Sequence, residues 1–192
     1  MASICKFDVN KARNRGFYCA TTLKSGGISV VLQKTALLDT GATICHMSFP
    51  LWCGLGFNNI CFNHNKDEFL KIGINSPDEM IFDKMPLKSF NTILGNGVKT
   101  KTYEFRADEL ILGDASVPGK PVILTNITIR IMDSPDYEFI IGLNVLRYLS
   151  IKYQPSALKS FCQLSIDSNG MKLLDNDRTN LNINNMNSMF DH

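Results

Sequence analysis

The sequence predicts an all-β domain of the closed-barrel type, with one or two short helices. Short segments rich in β-branched and aromatic residues recur along the chain, and clusters of turn-forming residues separate them. Hydrophobic residues make up 44% of the 192 residues, which is sufficient for the core of one globular domain. These observations favour a single barrel of short strands joined by turns.

The first strands are expected to form a hairpin that leads into an acidic turn. Residues 16–23 are a predicted strand that ends at the Lys-Ser-Gly-Gly turn of residues 24–27, where glycines can adopt positive φ. Residues 28–32 are the return strand, and residues 36–38 form a third strand that delivers Asp39. A short helix is predicted over residues 49–55, because Ser48 can cap it and Pro50 suits its first turn.

The rest of the chain continues the same pattern between two less regular ends. Residues 1–15 are interpreted as an N-terminal extension, and the more polar residues 64–88 as an insertion or elaborated loop. One or two helical turns are predicted within residues 142–149, and the Asn-rich residues 175–192 are expected to be a disordered tail. Further strands are predicted at residues 99–106, 109–113, 121–124, 126–132, 150–153, 162–166 and 171–174, with residues 92–98 as a hairpin tip.

The acidic turn itself carries the main functional signal. Residues 36–43 read Ala-Leu-Leu-Asp-Thr-Gly-Ala-Thr, so Asp39 follows an apolar strand and precedes a glycine. Gly41 lets the backbone turn sharply at the end of the strand, and the Thr40 hydroxyl can lock the loop by hydrogen bonding. Asp-Thr-Gly is also a good turn sequence in any protein, so the tripeptide alone leaves both interpretations open.

A second segment makes the functional interpretation stronger. Residues 139–146, Phe-Ile-Ile-Gly-Leu-Asn-Val-Leu, lie about a hundred residues downstream of Asp39. The two segments, in this order and spacing, resemble the active-site loop and the underlying strand and helix of retropepsin-like aspartic peptidases. The resemblance covers roughly residues 17–174 and implies a closed β-barrel with one lobe per chain.

This resemblance implies a role for each motif residue. Asp39 would be catalytic, and Gly41 would place its backbone against the acid. Thr40 would form hydrogen bonds across a dimer, and Ala42 would border the substrate. The remaining implied residues are the flap, Leu94, Gly95, Asn96 and Gly97, and the segment beneath the active site, Ile141 and Gly142.

The sequence offers one convincing acid loop, whereas hydrolysis by aspartic peptidases needs two adjacent carboxyl groups. Neither Asp114 nor Asp167 stands in a comparable turn. The simplest solution is a two-fold homodimer in which each chain contributes Asp39. We therefore expect an aspartic endopeptidase that acts on peptide or protein substrates without a metal or other cofactor. The alternative is a non-catalytic dimerisation or peptide-binding module that retains the fold.

Composition argues against several other classes of function. A net charge of +2 is too small to indicate binding to nucleic acid or to a membrane surface. No stretch approaches the ~20 apolar residues that span a bilayer, and the first residues lack a secretory signal, so we expect a cytoplasmic protein. The six cysteines are then expected to be reduced thiols.

Cysteine chemistry is a weaker alternative. A zinc site would have to be gathered from residues whose spacing matches no compact finger, namely Cys45, His46, Cys53, Cys61 and His64. A catalytic thiol would need a histidine base, and adjacent Cys45 and His46 side chains would point apart on a strand.

Overall fold

The computed structural model describes residues 4–8, 17–94, 97–113, 121–133, 138–154 and 161–165. In these residues the strands are β1 (Ile4–Asp8), β2 (Phe17–Ser25), β3 (Ile28–Leu38), β4 (Cys45–Ser48), β5 (Ser89–Ile93), β6 (Lys99–Leu112), β7 (Val122–Met132), β8 (Phe139–Ile141), β9 (Ser150–Gln154) and β10 (Phe161–Ser165). The helices are α1 (Phe49–Gly54), α2 (Phe57–His64), α3 (Lys66–Lys71) and α4 (Leu143–Leu146), with 3₁₀ turns at Pro77–Glu79 and Phe82–Lys84.

Six of the strands close into a barrel. Their order is β2-β3-β8-β4-β7-β6, and β6 pairs back with β2 to complete the ring. Strand β5 extends from β6 outside this closure. Most neighbours are antiparallel, but β3 pairs with β8 and β4 with β7 in parallel. The predicted all-β barrel is therefore confirmed.

Several predicted strands are longer in the structure. Residues 28–32 and 36–38 belong to one strand, β3. The pairing of β3 with β2 changes register between Cys19 and Thr21 of β2. Residues 99–106 and 109–113 fall largely within one strand, β6. Residues 121–124 and 126–132 fall largely within β7, which continues through Asn126 at φ 55°.

Helices α1 and α2 and the second 3₁₀ turn pack on one face of the sheet. The predicted helix at residues 49–55 is confirmed as α1, and Ser48 Oγ accepts a hydrogen bond from Leu51 N–H at 3.3 Å. Residues 64–88, which are predicted to be an insertion or elaborated loop, contain α3 and both 3₁₀ turns. Aromatic rings join this layer to β6: Trp52 and Phe57 pack on Phe105, and Phe82 packs on Tyr103.

A second, smaller sheet brings the two ends of the described chain together. Strand β10 lies between β1 and β9, and both pairings are antiparallel. Strand β1 lies within the predicted extension of residues 1–15, whereas residues 171–174 and the Asn-rich residues 175–192 lie outside the described residues. Among the described helices, none has both the length and the apolar character that would be required to cross a bilayer.

Candidate active site

Asp39 stands at the end of β3, where the chain leaves the barrel wall. Its backbone N–H donates to the Ile141 carbonyl of β8 at 3.1 Å, and its carbonyl accepts from Ala42 N–H at 3.2 Å. Its carboxylate Oδ1 accepts from the Gly41 N–H at 2.8 Å. Asp39 is half-buried, while Thr40 and Gly41 are exposed. The turn thus fixes the carboxylate while leaving it accessible.

Gly142 supports this loop from below. A Cβ built at this position would lie 2.5 Å from the Ile44 carbonyl oxygen and 2.8 Å from the Ala42 oxygen, so the site admits only glycine without displacement. The residues that follow bind the same loop: Leu143 N–H donates to Ala42 O at 2.7 Å, and Asn144 N–H donates to Thr43 O at 3.0 Å. The structure therefore brings together the two motifs that the sequence singles out.

Two further residues that fix the loop were missed by the sequence analysis. The Asn144 side chain bridges two strands, because its Oδ1 accepts from Cys45 N–H at 2.9 Å and its Nδ2 donates to Thr128 O at 2.9 Å. The Cys45 sulfur accepts from Gly142 N–H at 3.4 Å. Asn144 lies two residues after Gly142, so the same motif holds the signal for it.

The cysteine chemistry considered above fits the structure poorly. Burial raises the pKa of the Cys45 thiol to about 12, so the thiol remains protonated at neutral pH and is not an activated nucleophile. Burial likewise raises the pKa of Cys61 to about 12 and of Cys53 to about 11. Across the described ranges, His, Cys, Asp and Glu side chains form no group of three or more that could hold a metal ion.

The predicted flap corresponds to the turn between β5 and β6. Leu94 N–H donates to Val98 O at 2.9 Å, and Gly97, at φ 82°, donates to Leu94 O at 2.8 Å. Gly95 and Asn96, at the tip, lie outside the described residues. The hairpin is thus present, while its function as a cover over bound substrate stays a prediction.

His46 is a further residue near Asp39 that sequence reasoning considered only as a metal ligand or a base. It lies on β4, is 7% exposed, and its Cα pairs with Ile140 of β8 and with Arg130 of β7. Burial is the largest cause that lowers its pKa; a backbone hydrogen bond with Ile44 raises it, the Arg130 charge lowers it, and the Asp39 charge raises it. The imidazole therefore lies within electrostatic reach of both Asp39 and Arg130.

Comparison with solved structures finds similar folds at low sequence identity. The chain is 15% identical to a retropepsin-like aspartic protease from Rickettsia conorii, with 86% of this chain and 96% of that chain covered and a TM-score of 0.45. It is 14% identical to the retroviral protease-like domain of Ddi1 from Leishmania major, with 92% and 100% covered and a TM-score of 0.38. No protein-family model matches the sequence, and no curated protein is significantly similar to it.

The closed barrel, with the Asp39 loop resting on Gly142, has the architecture that the sequence resemblance implies. The two similarities concern the fold alone, and the activity of neither protein is carried over to this chain by similarity.

Proposed function

We propose that this chain is an aspartic endopeptidase that works as a homodimer, with Asp39 of each copy forming the catalytic pair. The observation that carries the proposal is the Asp39 loop. It presents a half-buried carboxylate, orients it through Gly41 N–H at 2.8 Å, and rests on a glycine that no other residue can replace without displacement.

Two carboxyl groups at close range supply both a base and an acid. Like charges that close cannot both ionise, so the pair shares one proton, which is the established behaviour of aspartic-protease dyads. The ionised member takes a proton from a water molecule, whose oxygen attacks the carbonyl carbon of the peptide bond. The protonated member donates to the carbonyl oxygen. When the tetrahedral intermediate collapses, the C–N bond breaks and the leaving nitrogen takes the proton that the first carboxylate received from water. A hydroxyl of the intermediate returns its proton to the other carboxylate as the new carbonyl forms, so the pair again holds one proton.

The other loop residues have supporting roles in this proposal. Thr40 is exposed beside Asp39, where its hydroxyl can form hydrogen bonds with the second copy, and Ala42 borders the substrate. The β5–β6 hairpin would close over an extended peptide and exclude water. We expect the protein to act in the cytoplasm on a peptide or protein substrate.

The test is cleavage of a peptide library by the full chain and by Asp39→Asn, with products read by mass spectrometry. Asp108→Asn is the matched control, because the Asp108 carboxylate also accepts a backbone N–H at 2.8 Å, from Gly26, in an exposed turn. We expect Asp39→Asn to reduce cleavage by at least about a thousandfold while its urea midpoint stays close to that of the wild type. Asp108→Asn should cleave normally.

Two results would contradict the proposal. Cleavage by Asp39→Asn at the wild-type rate would show that this carboxylate is not catalytic. A wild-type protein that binds peptides but never cuts them would instead favour the non-catalytic peptide-binding module.

A further inference from the structure

The strands beside Asp39 have two faces of different character. On β4, β6 and β7, one face carries Met47, Tyr103 and Ile131, all fully buried, and Tyr103 packs on Phe82 of the helical layer. Because successive side chains of a strand alternate, His46 and Arg130 belong to the opposite face. We call the part of that opposite face formed by His46, Arg130, Glu104, Ile140 and Phe90 the polar face. Buried Thr102 and Met132, and Arg106, lie on the same side of these strands.

The polar face adjoins both the acid loop and the flap hairpin. Strand β8 links His46 to the acid loop, because His46 pairs with Ile140 and the Asp39 N–H donates to the adjacent Ile141 carbonyl at 3.1 Å. The Arg130 guanidinium carbon lies 3.2 Å from the centre of the Phe90 ring on β5, and its Nη2 lies 3.5 Å from Glu104 Oε2. Ile140, Glu104 and Phe90 are half-buried, so these three side chains are partly accessible to solvent.

Two polar atoms on this face are buried without a hydrogen-bond partner among the described residues: His46 Nε2 and Arg130 Nη1. Their residues are 7% and 9% exposed. A buried polar group without a partner is costly to keep, so a pair of them on one face beside the acid loop is explained if they serve a ligand.

The two atoms offer complementary chemistry. Arg130 Nη1 is an N–H donor. Nε2 of a neutral imidazole is an acceptor when the ring proton is on Nδ1, and this is the tautomer that the subsite requires. The face then presents one acceptor and one donor.

We propose that the polar face is a substrate subsite that selects a carboxamide side chain, asparagine or glutamine, in the bound peptide. This inference rests on the proposed peptidase function and adds its specificity. A carboxamide carries the complement of each atom: its NH₂ can donate to His46 Nε2, and its oxygen can accept from Arg130 Nη1.

Other side chains fit this face less well. An apolar residue leaves both buried atoms without a partner. A carboxylate lacks the N–H that neutral His46 accepts, and it would approach Glu104, which already offsets the charge of Arg130. A lysine side chain has no acceptor for Arg130 Nη1 and would bring a second positive charge beside it.

The experiment is a positional scan of peptide substrates in which each position in turn carries Asn, Gln, Asp, Leu or Met. For the wild-type chain we expect one position at which Asn or Gln is cleaved at least about tenfold faster than the similarly sized Leu or Met. His46→Leu and Arg130→Met should each abolish that preference. The matched control, His64→Leu, removes an exposed histidine away from this face and should retain it.

A binding measurement keeps the subsite testable apart from catalysis. The Asp39→Asn chain, labelled with ¹⁵N-histidine, is titrated with the Asn peptide and with its Leu counterpart. We expect the His46 Nε2 signal, assigned by its loss in Asp39→Asn/His46→Leu, to shift with the Asn peptide only. The signals of the other two histidines should not move.

The outcomes separate the two proposals. Cleavage without a carboxamide preference at any position, or with a preference that His46→Leu retains, overturns the subsite and leaves the peptidase intact. A selective shift of His46 in a protein that never cleaves supports the subsite as a peptide-binding feature and overturns the peptidase. No shift with any peptide overturns the subsite.

Discussion

The substitution Gly142→Ala tests the geometry on which the active-site loop depends. The added Cβ would lie 2.5 Å from the Ile44 carbonyl oxygen, 2.6 Å from its carbon and 2.8 Å from the Ala42 oxygen. A carbon–oxygen contact is ordinarily about 3.3 Å or longer. The Ile44 carbonyl would therefore have to move by roughly 0.8 Å, taking the loop with it.

The expected loss follows from what that movement disturbs. Inserting a carbon into a packed site costs about 1–3 kcal/mol, and here the obstructing atoms are backbone atoms that cannot rotate away. The hydrogen bonds from Leu143 and Asn144 to the same loop would be stretched as well, each worth about 1 kcal/mol. We expect the free energy of unfolding to fall by about 3 kcal/mol. Peptide cleavage should fall further than stability, because Asp39 is displaced.

Urea denaturation and peptide cleavage measure the two effects, with Gly54→Ala as the control. A Cβ at Gly54, the last residue of α1, would meet no atom within 4 Å. The free energy of unfolding of Gly54→Ala should equal that of the wild type or exceed it by up to about 1 kcal/mol, because alanine favours the helix. If the free energy of unfolding of Gly142→Ala lay within about 0.5 kcal/mol of the wild-type value, Gly142 would not be packed closely against the loop.

Two further predictions concern the same region. Gly41→Ala would put its Cβ 3.1 Å from Asp39 Oδ1. Because a side-chain oxygen can yield, we expect cleavage to fall at least about tenfold while the unfolding free energy changes by less than about 0.5 kcal/mol; full turnover would contradict this. The second prediction concerns pH. Burial lowers the pKa of His46 in the folded chain, so as pH falls through about 6.5 the unfolded chain takes up the proton first. Protonation of His46 therefore does not reduce the free energy of unfolding above that pH. The free energy of unfolding falls as the pH drops from about 6.5 toward the lower pKa of the folded chain. The urea midpoint should therefore drop more on acidification in the wild type than in His46→Gln, and equal slopes would refute the assignment.

The sequence predicted the local features of the fold but not its closure. The hairpin at Gly26 and Gly27 and the helix capped by Ser48 were predictable, because the deciding contacts are a few residues apart. The pairing of β2 with β6 joins Thr21 to Leu112, and no local pattern sets that register. Helix α2 was not predicted, because its aromatic residues are also typical of strands.

The residues of the candidate site are also of two kinds: some stand in local motifs, and others depend on contacts that only the folded chain makes. Asp39 and Gly142 were identified because each stands in a compact motif whose order and spacing are informative. Asn144 fixes Cys45 across 99 positions of sequence, so only the folded chain reveals that contact. His46 becomes a candidate for substrate recognition only when β4 and β7 are paired, since its chemistry depends on Arg130 beside it.

The contacts that fix the Asp39 loop join residues of one chain, so a second copy would supply a carboxyl group and not the loop geometry. Mixing wild-type chains with Asp39→Asn chains tests this directly. If chains pair at random and one Asp per dimer is insufficient, an equal mixture retains about a quarter of the activity of the same total amount of wild type, because only wild-type pairs work. A catalytic monomer would retain about half. The Asp108→Asn chain, mixed in the same way, should leave the activity undiminished, and a linear decline with the Asp39→Asn fraction would refute the shared pair.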